Sequence, residues 1–371
     1  MFKTSLQIGR LRGVPIRLHF TLALVIPYLG FEFARGVRSV AAQTEIPLAA
    51  SSGVLLLWGF LLSVAIFASI LVHEMSHVIV AQMAGGHVRS VTLMLLGGVA
   101  EIERMPPGGP EARMAIIGPL ASIWLGLVSF LAFTWTEGAA PLVRLFLYYL
   151  AVTNLIIGAF NLLPAFPLDG GRVLRALLRN RFGQAKATAI AAGVSKVIAI
   201  AMLVAGLLLK DLVLSLIALF LFVAGDAEAR DTIVREALRG MRVGDLALRK
   251  VPVLSWFDTV DEARMALARS GAPAIAVVGP DGSPTALTLL ELSRACSSGS
   301  AGPATPLHRL AMRSCETVGE DDDIERALDV MNRTAREVLL VRGDDGPAGI
   351  LRRDDIVRAV QLSTLFRRPS P

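Results

Sequence analysis

The chain has 371 residues, of which 54% are hydrophobic and 18% are charged. Average soluble domains are about 45–50% apolar and about 25% charged, so this composition indicates a membrane protein and argues against a wholly soluble one. The formal net charge is +6. The basic residues lie beside apolar segments and form no nucleic-acid recognition motif, so we expect no nucleic-acid partner.

The density of charge changes once along the chain. Charged residues are sparse up to about Ala224 and become frequent from Asp226 onward. A change of this kind marks a domain boundary. It predicts a membrane domain over residues 1–225, a linker over residues 226–240 and a soluble module after the linker.

Six apolar segments are candidates for membrane spans, each of which needs about 20 apolar residues. They run from about Leu18 to Phe33, Gly53 to Met83, Met114 to Trp135, Leu142 to Leu163, Ala187 to Leu209 and Leu212 to Ala224, the last being short. An even number of spans places both termini on one side, and the basic lead-in assigns that side to the cytoplasm. The sequence therefore predicts a multi-pass protein of the cell membrane with both termini and the soluble module in the cytoplasm.

Residues 88–103, VRSVTLMLLGGVAEIE, interrupt the helical pattern. They are rich in β-branched residues and contain a break at Gly97 and Gly98, which indicates a strand or a hairpin. Irregular or extended backbone is tolerated at membrane depth only where it is buried in protein or lines a cavity.

The second apolar segment contains the motif HEMSH, formed by residues 73–77. Residues four apart share one face of a helix, so His73 and His77 can bind one metal ion through their imidazoles. Glu74 is placed to act as general base toward a water held by that metal. The alternative is a set of polar groups that bond to neighbouring helices, but ionisable residues within a span are costly and usually functional.

A catalytic zinc site takes three protein ligands and keeps a fourth position for water. The candidate third ligand is Asp169 in the stretch NLLPAFPLDGGR. Pro164 and Pro167 break the helix before it, and the glycines after it free the backbone. The carboxylate can therefore turn toward a neighbouring helix. The alternative is that Asp169 only caps the helix that follows.

Together these motifs resemble the site-2 protease family of intramembrane zinc metalloproteases, of the M50 type. GVPIRLH near the start, LLGGVAEIE, and Glu111 ahead of AIIGPLAS also resemble that family, so the resemblance covers the whole membrane domain. It implies that His73, His77 and Asp169 hold one Zn²⁺ per chain and that Glu74 is catalytic. It also implies that the substrate is a single-span transmembrane protein.

The same resemblance implies a substrate cleft beside the metal. Asn161 and Pro167 would shape it, and Asn161 is also a hypothesis for the group that stabilises the oxyanion. The segment with Gly97 and Gly98 would offer an edge to which an unwound substrate pairs by strand addition. The substrate helix must open first, because helical carbonyls are already bonded.

The C-terminal part contains an internal repeat, with two similar stretches offset by about 64 residues. Each stretch predicts a helix, two strands joined by a turn, and a second helix. We expect two copies of a small α/β unit, over residues 241–300 and 301–371, and they resemble a CBS-domain pair.

This second resemblance implies adenine-nucleotide binding, dimerisation, or both. Asp355 stands where such modules place an acid on the ribose, and Thr288 fits the hydroxyl position of the first copy. Arg352 replaces the usual Ser or Thr, however, and Glu291 replaces the usual Asp. A packing or dimer module without a ligand is therefore the alternative.

The predicted fold class is a polytopic α-helical membrane domain of about six transmembrane helices with a short membrane-associated β element, followed by a cytoplasmic α/β CBS-domain pair. The predicted function is hydrolysis of peptide bonds in transmembrane substrates. Two other functions stay open: a CBS-regulated transporter or channel, whose transport should survive loss of Glu74, and an inactive protease-like scaffold.

Overall fold

The computed structural model describes residues 5–95, 97–104, 111–249, 251–280, 282–310, 316–343 and 346–366. The chain divides into two compact units, Met1–Asp231 and Thr232–Pro371. Helix α6, which runs from Leu212 to Leu238, crosses that division. The stretch expected to link the domains is therefore helical as far as Leu238.

The first unit is built from long helices and one small sheet. The helices are α1 (Leu22–Gln43), α2 (Ser52–Met83), α3 (Glu111–Trp135), α4 (Pro141–Asn161), α5 (Asp169–Leu208) and α6. Among the described residues, five of them, α2 to α6, are long and apolar enough to cross a membrane. These five match the predicted spans from the second to the sixth.

The first predicted span falls on helix α1, which differs from the prediction. The helix begins at Leu22 rather than Leu18, and it extends beyond Phe33 to Gln43. Glu32 and Arg35 lie within it and form an exposed ion pair at 3.4 Å. These charges lower its mean hydropathy, and α1 is not among the five membrane-capable helices.

Helix α5 has a sharp break at Gly183, where φ is 74° and ψ is 163°. Such a backbone conformation is open to glycine and strained for other residues. The break separates an arginine-rich first part from an apolar second part. The second part corresponds to the predicted span from Ala187 to Leu209.

The sheet of the first unit has the order β1-β2-β3-β4. Its strands are β1 (Ser5–Leu11), β2 (Val14–His19), β3 (His87–Met94) and β4 (Gly97–Arg104). Strands β3 and β4 form an antiparallel hairpin in which Leu93 faces Gly98, so the predicted hairpin is confirmed. Strand β2 runs parallel to β3. The sequence did not predict the hairpin of β1 and β2, because β1 is exposed along almost its whole length and lacks an alternating apolar pattern.

Helix α2 lies at the centre of the first unit and packs against α1, α3 and α4. Val37, Leu62 and Leu145 are fully buried in one core between α1, α2 and α4. Trp58 donates a hydrogen bond to the carbonyl of Leu142 at 2.8 Å. This packing fixes the N-terminal half of α2, and the HEMSH motif follows in its C-terminal half.

The second unit contains two halves with the same order of elements. The first half consists of β6 (Val253–Ser255), α8 (Val260–Ser270), β7 (Ala274–Val278), β8 (Pro284–Thr288) and α9 (Leu289–Ser297). The second half consists of β9 (Thr317–Gly319), α10 (Ile324–Thr334), β10 (Val338–Gly343), β11 (Gly346–Arg352) and α11 (Arg353–Phe366), with a short 3₁₀ turn (Leu307–Arg309) before it. Two short elements precede the first half in the chain, α7 (Val243–Leu246) and β5 (Leu248–Arg249). Strand β5 pairs with β11 of the second half.

The two sheets of the second unit repeat one pairing scheme. Their orders are β6-β7-β8 and β5-β11-β10-β9. In each half the first strand is parallel to the second, and the second is antiparallel to the third. Ala274 and Ala276 of one half pack with Leu340 and Ile350 of the other. The repeat seen in the sequence is therefore a pair of α/β units that share a core.

Candidate metal centre

Three buried side chains meet between α2 and the start of α5. His73, His77 and Asp169 are only 4%, 8% and 9% exposed. Asp169 Oδ2 lies 3.1 Å from His73 Nε2 and 3.2 Å from His77 Nε2. The three ligand atoms all lie within 4.8 Å of one another. The predicted ligands are thus brought together from positions far apart in the chain.

The other ring nitrogen of each histidine is held by helix α3. His73 Nδ1 lies 2.9 Å from Ser122 Oγ. His77 Nδ1 lies 2.7 Å from the carbonyl oxygen of Met114. With both Nδ1 atoms engaged, both Nε2 atoms turn toward Asp169, as is usual for metal-binding histidines.

Gly118 of α3 leaves the space in which these ligand atoms meet. A Cβ at this position would lie 2.2 Å from His77 Nε2 and 2.7 Å from His73 Nε2. Two imidazole nitrogens and one carboxylate oxygen are a donor set that zinc accepts in catalytic sites. The residues present therefore fit the metal that the sequence predicts.

Asp169 does not cap the helix it begins. The N-cap residue of α5 is Leu168, which makes no side-chain capping hydrogen bond, whereas the Asp169 carboxylate faces the two histidines. Gly170 permits this turn, because a Cβ there would lie 2.3 Å from the carbonyl oxygens of Leu162 and Leu163.

Glu74 lies against the hairpin formed by β3 and β4. A Cβ on Gly98 would be 2.3 Å from Glu74 Cγ and 3.0 Å from its Oε1, so the absence of a side chain at Gly98 makes room for the carboxylate. The neighbouring Gly97 begins β4 with a φ of 123°, which also favours glycine. Both glycines named from the sequence thus lie where the hairpin approaches α2.

The remaining predicted cleft residues have no contact with the ligand atoms among the interactions of the described residues. Asn161 donates from Nδ2 to the carbonyl of Ile157, in its own helix, at 2.9 Å. Pro167 is half-buried in the stretch between α4 and α5. Their roles in binding substrate stay predictions.

Several charged partners near the site were not predicted. Arg172, on the first turn of α5, lies 3.1 Å from Glu228 of α6. Arg175 bonds to Glu111 at the start of α3. The contact between Ser122 and His73 was not predicted either. The only signal for it in the sequence is that Ser122 is a small polar residue in an apolar helix, and such residues often form hydrogen bonds between membrane helices.

The two predicted nucleotide contacts of the second unit already have partners. Thr288 caps α9 by accepting from the backbone N–H of Glu291 at 3.2 Å, and its hydroxyl donates to Glu291 Oε2 at 2.8 Å. Asp355 accepts from Arg352 Nε at 3.0 Å and from its Nη2 at 2.6 Å. That hydrogen-bonded ion pair raises the pKa of the Arg352 guanidinium.

A cleft in the second unit includes Thr288 but not Asp355. Its volume is about 510 Å³, and it is lined by Pro273, Thr288, Leu289, Leu290, Ser293, Glu337 and Val338. The lining comes from both halves of the repeat and is mostly apolar.

Comparison with known proteins gives two family matches. The profile of Peptidase family M50 matches residues 61–145 and 138–205, which include the three ligand positions. The profile of the CBS domain matches residues 308–362, within the second half of the C-terminal repeat.

Three proteins similar to this chain carry a protease name. A zinc metalloprotease of Methanocaldococcus jannaschii is 32% identical over 65% of this chain and 66% of its own length, just under two thirds. Rip3 of Mycobacterium tuberculosis, named as a zinc metalloprotease, is 29% identical over 100% of this chain and 96% of its own. The solved site-2 protease of M. jannaschii is 34% identical, covers 61% of this chain and 95% of its own, and has a TM-score of 0.42.

Proposed function

We propose that this chain is a membrane zinc metallopeptidase of family M50, that His73, His77 and Asp169 hold its zinc, and that Glu74 is the catalytic base. The observation that carries this proposal is the convergence of the three ligand atoms. Asp169 is 96 positions from His73, yet its carboxylate lies within hydrogen-bond distance of both imidazoles.

The chemistry follows from the residues around the ligands. Zinc held by His73, His77 and Asp169 would supply Lewis-acid activation of a water molecule and of the scissile carbonyl. Glu74 would accept a proton from the attacking water and pass it to the leaving amine. Ser122 and the Met114 carbonyl hold the imidazoles in a fixed orientation. The close contact with Gly98 limits where the Glu74 carboxylate can move.

Strand β4 is the proposed docking edge for the substrate. It is the outer strand of its sheet, and no further strand pairs with that edge among the described residues. Gly98 of β4 lies against Glu74, so an extended segment paired along β4 would pass close to the catalytic base. We propose that the substrate is a single-span transmembrane protein that unwinds locally, with Gly97, Asn161 and Pro167 shaping its path.

The proposed topology keeps both termini and the second unit in the cytoplasm. Five crossings would separate the termini, so this arrangement requires α1 to cross as well. Its 22 residues are long enough for a span of about 20 residues. Reporter fusions at both ends test this topology, and an N-terminal fusion that reports from outside the membrane would contradict it.

For the second unit, the cleft beside Thr288 is the better of the two predicted nucleotide positions. Both residues already have partners, but of the two only Thr288 lines this cleft of about 510 Å³, which residues of both halves form. Packing or dimerisation without a ligand is the second candidate. Titration of AMP into the full-length protein decides between them, because an absence of saturable binding would end the nucleotide proposal.

Cleavage of a membrane substrate tests the proposed reaction. The zinc-loaded protein and its Glu74→Gln variant are each incubated in detergent with a panel of tagged single-span proteins. We expect cleavage by the wild type only, at equal zinc content. Cleavage that survives in Glu74→Gln would refute the proposed base. A wild type that cuts nothing would favour the scaffold, and solute transport that persists in Glu74→Gln would favour the transporter.

A further inference from the structure

A buried ion pair joins the first residue of α3 to α5. Arg175 donates from Nε to Glu111 Oε1 at 2.8 Å, and its Nη2 contacts the same oxygen. Arg179 Nη1 lies 3.6 Å from the other carboxylate oxygen. The side chains of Arg175 and Glu111 are only 10% and 16% exposed, so the pair is largely shielded from water.

Arg175 is held on its other side by an aromatic ring. Its guanidinium lies 5.2 Å from the centre of the Phe166 ring. Phe166 is fully buried, and its backbone N–H donates to Ser195 Oγ at 2.7 Å. Phe166 belongs to the short stretch that leads into Asp169. The arginine is thus fixed between the start of α3 and the segment that carries the third ligand.

The two helices joined by this pair supply different parts of the metal centre. Helix α3 provides Met114 and Ser122, which hold the Nδ1 atoms of the two histidines. Helix α5 provides Asp169, whose carboxylate faces their Nε2 atoms. Met114 follows Glu111 by about one helical turn. A shift of either helix end would therefore change the distance between the carboxylate and the imidazoles.

We propose that Glu111 and Arg175 are positioning residues of the metal centre. Their ion pair fixes the start of α3 against the start of α5, and so sets the separation between the Asp169 carboxylate and the two imidazoles. Neither residue is among the three proposed metal ligands or the proposed cleft residues. This inference rests on the zinc site proposed above. It gives a role to Glu111. This residue and the AIIGPLAS stretch after it resemble the site-2 protease family, but Glu111 has no part in the proposed chemistry.

Two conservative variants test the pair. Arg175→Lys keeps the positive charge but loses the planar, two-pronged guanidinium. Glu111→Gln keeps the shape of the side chain and removes its charge. The matched control is Arg230→Lys, because Arg230 makes an exposed ion pair at 2.7 Å with Asp226, which lies on the same helix α6.

Zinc affinity is measured by competition with a chelator, and the ligand geometry by the visible spectrum of the cobalt-substituted protein. Loss of an outer-shell partner typically weakens metal binding about 10–100-fold. We expect a loss of that size in Arg175→Lys and Glu111→Gln, together with an altered cobalt spectrum. We expect the melting temperature of the zinc-free protein to fall in Glu111→Gln, which removes the carboxylate that pairs with the buried Arg175, and to change less in Arg175→Lys, which keeps the charge. We expect Arg230→Lys to match the wild type throughout.

The result that would overturn the proposal is a lower melting temperature in both variants with unchanged zinc affinity and an unchanged cobalt spectrum. Such a result would make the pair a purely structural contact. His77→Ala separates this failure from failure of the site itself. Zinc binding that is lost in His77→Ala but normal in Arg175→Lys overturns the positioning role alone. Zinc binding that survives in His77→Ala overturns the site and the positioning role together.

Discussion

Replacement of Gly118 by alanine tests the geometry of the metal centre without removing any ligand. The new methyl carbon would lie 2.2 Å from His77 Nε2, 2.5 Å from His77 Cε1 and 2.7 Å from His73 Nε2. Contacts this short do not occur for real Cβ atoms, so a ring or the helix must move. The rings cannot turn away freely, because both Nδ1 atoms are bonded to α3.

The expected effect on zinc exceeds the expected effect on the fold. Turning one imidazole away breaks its Nδ1 hydrogen bond, which costs about 0.5–1.5 kcal/mol. It also removes one of three metal ligands, so we expect zinc affinity to fall at least about 100-fold, the upper end for outer-shell changes. Alanine is a better helix former than glycine by about 1 kcal/mol, which offsets part of the steric cost to the fold.

Zinc content after dialysis against a weak chelator measures this effect, with the melting temperature recorded on the same samples. The matched control is Gly193→Ala on α5, because a Cβ at Gly193 meets nothing within 4 Å. We expect Gly193→Ala to keep its zinc and Gly118→Ala to lose it. Wild-type zinc content in Gly118→Ala would refute the position assigned to the metal.

Three further substitutions separate metal binding, catalysis and the fold of the second unit. Ser122→Ala removes the 2.9 Å contact with His73 Nδ1, and we expect zinc affinity measured by chelator competition to fall about 10–100-fold. Gly98→Ala places a methyl 2.3 Å from Glu74 Cγ, and we expect about a 100-fold slower cleavage rate at unchanged zinc content. Thr288→Ala removes the cap of α9, and we expect the second unit to lose about 1 kcal/mol of unfolding free energy, measured by denaturant titration.

Each of these expectations has a contradicting result. Unchanged zinc affinity in Ser122→Ala would mean that its hydroxyl does not orient His73. Zinc loss in Gly98→Ala would mean that the hairpin supports the ligands rather than the base. An unchanged denaturation curve for Thr288→Ala would mean that the capping hydrogen bonds are replaced by water at no net cost.

The three proposed ligands could be picked out from the sequence because their pattern is local and chemically specific. His73 and His77 share a helix face at fixed spacing, and the prolines and glycines around Asp169 mark a turn. The hairpin was predictable for a similar reason, since Gly97 and Gly98 divide a β-rich stretch.

The rest of the site depends on tertiary contacts that no local pattern contains. Ser122 is one small polar residue in an apolar helix, and its role appears only when α3 packs beside α2. The Arg175–Glu111 pair joins residues 64 positions apart. Conversely, the resemblance to a CBS-domain pair predicted that the Asp355 carboxylate binds a ribose, whereas this carboxylate pairs with Arg352, which stands where the family usually has Ser or Thr.

Zinc content of the purified wild type, Glu74→Gln, His77→Ala and Asp169→Ala tests the central claim most directly. Three protein ligands with a position left for water predict about one zinc per chain in the wild type. The same content is expected in Glu74→Gln, with a marked loss in the other two variants. A folded wild type without zinc, or full zinc content in both His77→Ala and Asp169→Ala, would contradict the account.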